Sequence, residues 1–185
     1  MPALPARLLA HLLAPLLAVL LAAAAPAARA VAINHIDIDP KLGTSGMPTR
    51  AQFAAIAKAG YEVVVNLAPD TVLGAHKDEA ALVAAQGMAY EHVPVVFASP
   101  TVQDYAAFVA ALRRHAGRKL LVHCQINMRA STFVYLYRVL ERGEDPDRAF
   151  EPVQRIWQPD AAWRTLITTL HAQRNRPLPL ALTAR

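Results

Sequence analysis

The stretch that decides the fold runs Leu120-Leu121-Val122-His123-Cys124-Gln125-Ile126-Asn127-Met128-Arg129-Ala130-Ser131. Its first three residues form a short apolar run, which is typical of a buried strand. From residue 130 to residue 140 the apolar residues recur at helical spacing, which predicts a helix. The sequence therefore places Cys124 between the end of a strand and the beginning of a helix.

The rest of the chain alternates in the same way. Strands are predicted at residues 33–38, 61–67 and 89–96, and a turn-rich segment at 43–48 ends the first of them. Helices are predicted from a Thr49 cap to Gly60, over 77–86, from Thr101 through Leu112, and near 146–156 and 160–173. Alternating strands and helices favour an α/β fold with a mainly parallel central sheet and helices on both faces. Such sheets bind ligands at the carboxyl ends of their strands, where Cys124 is expected.

The first thirty residues predict a secretory signal peptide. Arg7 precedes an apolar run over 8–25, and the small-residue series Ala27-Ala28-Arg29-Ala30 follows it. A membrane anchor is the alternative, but His11, Pro15 and Pro26 interrupt the stretch. We expect cleavage after Ala30, a periplasmic or secreted bacterial protein with no stable membrane anchor, a domain over 31–175, and a flexible tail over 176–185.

Composition narrows the class of protein further. The single cysteine, Cys124, cannot form an internal disulfide in an oxidising compartment, so its thiol is either buried and inert or kept for chemistry. The formal charge is +5, and +3 without Arg7 and Arg29. The basic cluster at 113–119 has no aromatic residues among its cations, so it predicts a solvated helix end and no nucleic-acid partner. Scattered histidines imply no metal, and no cofactor is expected.

The residues after the strand suit an oxyanion. Free amides and the helix dipole favour both a thiolate at Cys124, which we expect to be partly exposed, and a bound anion. Arg129 adds a planar donor fork suited to a phosphate-like group. The Ser131 hydroxyl is in range, by sequence, to hydrogen-bond the cysteine sulfur as a leaving group.

The segment 122–131 resembles the phosphate-binding loop of protein tyrosine and dual-specificity phosphatases. The segments 45–49, 63–67 with Pro69-Asp70, 78–80, 93–95 and 100–101 look like the bacterial branch of that superfamily, the phosphatase domain of beta-lactamase hydrolase-like proteins. The similarity covers roughly residues 36–170. It implies that Cys124 attacks phosphorus, that His123 orients the loop, and that the phosphate oxygens are bound by Arg129 and by the amides of Gln125, Ile126, Asn127 and Met128.

Two features depart from the family pattern. The family motif has five residues between cysteine and arginine, whereas this chain has four, which leaves Ala130 at the arginine position and Asn127 at a glycine position. Asparagine tolerates a left-handed backbone better than most residues. The usual aspartate general acid is also missing, because Pro94-Val95-Val96 stands in its place. Asp70, His92 and Asp104 could replace this general acid. Each also has a simpler interpretation: Asp70 as a turn residue, His92 as a strand-surface residue and Asp104 as an acid in the first turn of a helix.

Three functions follow as hypotheses. The first is a weak exported phosphatase that hydrolyses phosphate monoesters through a phosphocysteine. The second is a catalytically poor domain that binds phosphorylated or other oxyanion ligands. The third is a rhodanese-like sulfurtransferase, because the six residues from Cys124 to Arg129 resemble the active loop of that class in length.

Overall fold

Five short strands form the central sheet of the computed structural model, which describes residues 31–183. The strands lie in the order β1-β2-β5-β3-β4, with bounds Ile36–Asp39 (β1), Leu42–Ser45 (β2), Val63–Asn66 (β3), Ala89–His92 (β4) and Leu120–His123 (β5). Only β1 and β2 are antiparallel; the other neighbours are parallel. The register sets Ser45 and Asn66 on either side of His123, so the carboxyl ends of β2, β3 and β5 meet at one edge.

Helices cover both faces of this sheet, as the sequence predicts. Adjacent residues of a strand point to opposite faces. Val64 and Leu121 therefore pack in one cluster with Phe53 and Val83 of the first two helices, α1 and α2, which span Gln52–Lys58 and Glu79–Ala84. Val63, Val65 and Val122 pack in the larger cluster on the other face. That face carries α3, α4, α5 and α6, which span Val102–Arg114, Met128–Leu140, Pro146–Ile156 and Ala161–Gln173.

Two local predictions are wrong. The segment 43–48, predicted as a turn that follows the first strand, contains most of β2. Gly43 is needed for close packing rather than for a turn, because a side chain at this position would collide with the Tyr61 hydroxyl. Helix α1 is also not capped by Thr49: its N-cap is Ala51, which has no side-chain hydrogen bond, and the helix begins three residues later.

The sequence predicts a signal peptide at one end of the chain and a flexible tail at the other. The predicted signal peptide, residues 1–30, lies outside the described residues, and no helix within 31–183 is long and apolar enough to cross a membrane. The segment predicted as a flexible tail, 176–185, includes a short helix, α7 (Leu180–Thr183), up to the last described residue. Contacts hold this part to the domain: the Leu180 amide donates to Asp147 Oδ1 over 2.6 Å, and Arg164 donates to the Leu182 carbonyl over 3.2 Å.

Candidate active site

The loop that follows β5 is built around one left-handed residue. Asn127 has φ +75°, which confirms the backbone conformation expected there, and it serves as N-cap of α4. Its side-chain amide donates to the Asn34 carbonyl over 2.7 Å and to Thr44 Oγ1 over 3.1 Å. The Met47 amide donates to the Gln125 carbonyl over 3.1 Å. The loop is thus tied to the segments on either side of β1 and β2.

The amides at the beginning of α4 are left without protein partners. The first turn of any helix has amides with no intrahelical acceptor. Here the N-cap side chain does not bond to them: the side-chain nitrogen of Asn127 donates to Asn34 and Thr44, and its oxygen, Oδ1, is buried without a hydrogen-bond partner. Within residues 31–183, the N–H groups of Met128, Arg129 and Ala130 donate to no protein acceptor. Unpartnered amides with a helix dipole behind them favour an anion.

Arg129 is the second cationic feature of this end of the helix. The residue is only 6% exposed, and its Nε is buried without a hydrogen-bond partner. No ion pair or hydrogen bond joins its guanidinium to another described residue; the ring of Phe97 lies against it, with Cζ 5.2 Å from the ring centroid. A buried charge is costly unless it is paired, so an unpaired guanidinium here indicates a site for an anionic ligand.

A small cavity lies beside this guanidinium. It has a volume of about 200 Å³ and is lined by Phe97, Gln125, Ile126, Met128 and Arg129. Arg129 therefore faces the loop cavity rather than bulk solvent, despite its early position in the sequence. Ala130, which stands at the family's arginine position, is fully buried.

The structure places Cys124 deeper than the sequence suggested. We expected a partly exposed thiol, but the residue is fully buried in the larger core cluster and does not line the cavity. The reason is that its neighbours on β5 continue the core, so that the strand carries the cysteine inward. Ser131 also differs from the expectation: its hydroxyl donates to the Met128 carbonyl over 3.2 Å rather than to the cysteine sulfur.

A buried polar network lies next to the loop, at the end of β5. Its central residue, Glu79, was not identified from the sequence. His123 Nε2 lies 2.6 Å from Glu79 Oε1, and both side chains are almost completely buried. The other oxygen of Glu79 accepts from the Asn66 side chain over 3.2 Å. Burial, with the Glu79 charge as a second cause, raises the pKa of the adjacent Tyr90 to about 12. The network joins α2, β3 and β5 directly before Cys124, where a loop-orienting histidine was expected.

Asp70, His92 and Asp104, the three residues considered as substitutes for the general acid, form structural contacts outside the cavity. Asp104 forms a reciprocal capping box with Thr101 at the beginning of α3. His92 Nε2 lies 2.9 Å from the Ala68 carbonyl and 3.8 Å from Asp70 Oδ1. None of the three lines the cavity beside Arg129. The segment where the family has its acid, Pro94-Val95-Val96, has no carboxylate either.

Fold and loop together define the class: an α/β domain of the cysteine-phosphatase type, with the cysteine-containing loop between a central strand and a buried helix. The family model for the beta-lactamase hydrolase-like protein, phosphatase-like domain, matches residues 36–140, and the chain belongs to this family. The match contains the strand β5, the loop and all of α4.

Individual relatives agree with this assignment. A beta-lactamase hydrolase-like protein of Xylella fastidiosa is 36% identical over 110 residues, which is 57% of this chain but only 25% of the relative. The chain therefore spans about a quarter of the length of that relative. A solved structure of a candidate phosphatase from Shewanella putrefaciens CN-32 is 38% identical, with a TM-score of 0.72 over 77% of this chain and 93% of its own.

More distant structures share the fold alone. TpbA of P. aeruginosa is 19% identical, with a TM-score of 0.61 over 82% of this chain and 92% of its own. At that identity the likeness concerns the backbone arrangement. It agrees with the mainly parallel sheet described above.

Proposed function

We propose that this protein is an exported, cysteine-dependent phosphatase-like domain that binds phosphate monoesters and hydrolyses them slowly. The observation that carries the proposal is the unpaired, buried guanidinium of Arg129 beside the unpartnered amides of α4. A tetrahedral oxyanion provides what both features lack, since its oxygens accept from the planar fork and from the amides together. Family membership supplies the reaction class.

The chemistry assigned to the site has two steps. The Cys124 thiolate attacks phosphorus, so that a P–S bond forms and the ester P–O bond breaks, with the electron pair leaving on the ester oxygen. Water then attacks phosphorus, the P–S bond breaks, and inorganic phosphate leaves as the thiolate is restored. The Arg129 guanidinium, the amides of Gln125 to Met128 that the resemblance assigns, and the unpartnered amides of Arg129 and Ala130 stabilise the charge on the phosphoryl oxygens in both steps.

Slow turnover is expected for two reasons. No carboxylate lines the cavity, so the leaving oxygen takes its proton from water, and loss of a general acid costs about 10²–10⁴-fold in rate. The thiol is also fully buried, so the loop has to open before sulfur reaches phosphorus. Phosphate esters with good leaving groups are affected least by the first of these.

The burial of Cys124 favours one alternative, an anion-binding domain without turnover. In that case the Arg129 cavity fills with a phosphorylated ligand while the cysteine remains part of the core. Both functions need Arg129, and only the first needs Cys124. The two are therefore separated by variants of these two residues.

Vanadate and inorganic phosphate binding, measured for the wild type and for Arg129→Lys, test the proposal. A point charge cannot replace a bidentate fork, and each lost charge-assisted hydrogen bond is worth about 1.5–3 kcal/mol, or roughly one to two decades in affinity. An unchanged affinity in a folded variant would refute both functions. Arg142→Lys, a change at a surface arginine paired with Asp39, is the matched control and should bind like the wild type.

Turnover and covalent chemistry are tested on Cys124. A phosphatase gives a phosphorylated cysteine on rapid acid quenching of an aryl phosphate reaction, and Cys124→Ser abolishes phosphate release while anion binding remains. An anion-binding domain gives neither product nor adduct. A persulfide on Cys124 after incubation with thiosulfate would instead support the sulfurtransferase hypothesis.

Export is tested separately, by sequencing the N-terminus of the secreted or periplasmic protein, which should begin at Val31.

A further inference from the structure

Strongly exposed aliphatic side chains surround the candidate site. Within residues 31–183 five large apolar residues are more than two-fifths exposed: Ile33, Leu73, Val96, Ile126 and Leu180. Single exposed apolar residues are common on protein surfaces. Four of these five, however, belong to four separate segments that meet at the loop over 124–129. We call these four residues, Ile33, Leu73, Val96 and Ile126, the apolar rim.

Ile126 belongs to the loop, contacts place Ile33 and Leu73 beside it, and chain connectivity places Val96 next to the cavity-lining residue Phe97. A Cβ added to Gly46 would lie 2.5 Å from Ile33 Cγ2 and 3.1 Å from Ile126 Cα, so these two residues flank the same glycine. The Leu73 carbonyl accepts from the Gln125 side chain over 3.3 Å. Val96 is bonded to Phe97, whose side chain lines the cavity with Ile126.

Two side chains of the apolar rim extend into solvent and do not pack against the domain. Leu73 is 90% exposed, and Val96 is 57% exposed. Rigid protein interfaces are enriched in aromatic residues and arginine at their centres. Isolated aliphatic side chains around a polar site suit a deformable apolar phase, as in proteins that insert side chains at the boundary between lipid head groups and acyl chains.

The charge at the site favours a ligand whose anionic group is a single phosphate. Arg129 is the only cationic side chain among the residues that line the cavity. A ligand with several phosphates would need further cations. The chain as a whole has a net charge of +5, or +3 without the leader, which favours approach to an anionic membrane surface.

We propose that the apolar rim docks the domain on a lipid surface and presents the cavity to phosphate monoester head groups of that surface. The rim residues enter the boundary region, while Arg129 and the α4 amides bind the terminal phosphate at the level of the head groups. The phosphate contact rests on the proposed function, whereas the docking by the rim is independent of it. The substrate or ligand class is thus a lipid phosphomonoester.

Vesicle flotation tests the proposal with three compositions: phosphatidylcholine alone, phosphatidylcholine with phosphatidic acid, and phosphatidylcholine with phosphatidylglycerol. Phosphatidic acid carries a phosphate monoester, whereas phosphatidylglycerol is an anionic diester. The mature wild-type protein should bind phosphatidic acid vesicles most tightly. The double variant Leu73→Ser/Val96→Ser should bind them more weakly by about tenfold, because two inserted side chains are lost.

The controls separate this proposal from the previous one. Leu180→Ser removes an exposed leucine outside the rim, and it should bind vesicles like the wild type. Inorganic phosphate in solution should bind the wild type and the rim variant equally, since neither Leu73 nor Val96 lines the cavity. Phosphate binding without vesicle binding refutes the lipid surface and leaves the proposed function intact; loss of both refutes both.

Two other results would overturn the lipid assignment. Equal binding of the wild type and the rim variant to phosphatidic acid vesicles would show that the rim does not dock. Rim-dependent binding of a phosphopeptide, with no binding to any vesicle, would assign the rim to a protein partner instead.

Discussion

The two ends of helix α4 carry buried arginines in opposite electrostatic situations. Arg129, in the first turn, is 6% exposed and has no carboxylate or carbonyl partner among the described residues. Arg138, in the last turns, is 8% exposed; it donates to Glu144 over 2.9 Å and to the Ala149 carbonyl over 3.2 Å. Both arginines lie on one helix and are buried to a similar extent. The guanidinium of Arg138 has hydrogen-bond partners in the protein, whereas that of Arg129 has none among the described residues.

This difference favours the first turn of α4 as the place for the proposed ligand. A buried guanidinium whose donors are met by the fold contributes to stability, whereas one whose donors are unmet costs stability until something binds. The surface cations of the basic cluster follow the first pattern, since Arg113 pairs with Glu141 and Arg114 with Glu91. These pairs agree with a solvated helix end, and the expected lack of a nucleic-acid partner stays a prediction.

The largest effect expected from this comparison is on stability at the satisfied end. Arg138→Met should lower the free energy of unfolding by about 3 kcal/mol, because it removes two charge-assisted hydrogen bonds and leaves Glu144 with only the more distant Arg142, at 3.7 Å, as a cationic partner. Arg129→Met should change it by less than about 1 kcal/mol, since no protein hydrogen bond is lost. Urea unfolding of both variants checks this. A larger loss for Arg129→Met would contradict an open guanidinium.

The next effect concerns ligand-linked stability at the open end. Inorganic phosphate at about 100 times its dissociation constant should stabilise the wild type by about 2.7 kcal/mol. Arg129→Met should gain almost nothing at the same concentration, while Arg138→Met should gain as much as the wild type. Thermal unfolding with and without phosphate provides the measurement, with sodium chloride of equal ionic strength as the control. Equal stabilisation of all three proteins would mean that phosphate binds elsewhere.

A smaller effect on stability and on phosphate binding is expected from the buried network of His123, Glu79 and Asn66. Glu79→Gln keeps an oxygen near His123 but removes the buried charge, and should cost about 1–2 kcal/mol of stability. It should also weaken phosphate binding several-fold, because His123 no longer fixes the strand directly before Cys124. Glu151→Gln, at an exposed position of α5, is the control and should change neither quantity. Unfolding curves and phosphate titrations together test this role; a loss of stability alone would make Glu79 merely structural.

The smallest effect is a pH dependence from the face of α4 that is turned away from the site. His171 donates from Nδ1 to the Pro177 carbonyl over 2.8 Å and accepts at Nε2 from the Tyr135 hydroxyl over 2.8 Å. Burial lowers the pKa of His171 below its usual 6.5. The unfolded chain therefore binds a proton first as the pH falls. Stability should be full above about pH 6.5 and should decline below it, by about 1 kcal/mol or less.

Unfolding in urea at pH 7.5 and pH 5.5 measures this loss. His171→Gln should show a shallower decline than the wild type, although some decline should remain, because burial also lowers the pKa of His35. Identical declines in the two proteins would mean that His171 is not the group that titrates.

Local patterns predicted much of this fold. The bounds of α5 and α6 agree with the pattern to within one residue, because each begins at an aspartate cap and has an apolar stripe that is readable in sequence. Gly60, where the first helix was predicted to end, follows α1 with a positive φ angle, and Gly87 directly after the predicted helix 77–86 does the same. The strand β2 was missed, because Gly43, Thr44 and Ser45 look like turn residues when their two strand neighbours are not known.

The candidate site divides in the same way. The sequence by itself determined that Cys124 lies between the end of a strand and the beginning of a helix, because this depends on neighbouring residues. The left-handed backbone at Asn127 was expected from the family resemblance, which aligns this residue with a glycine. Only the tertiary structure decided that Cys124 is buried, that Arg129 has no partner, and that Glu79, 44 residues away in the chain, holds His123. The physical reason is that hydrogen bonding and burial depend on which distant segments meet, and local periodicity does not record these meetings.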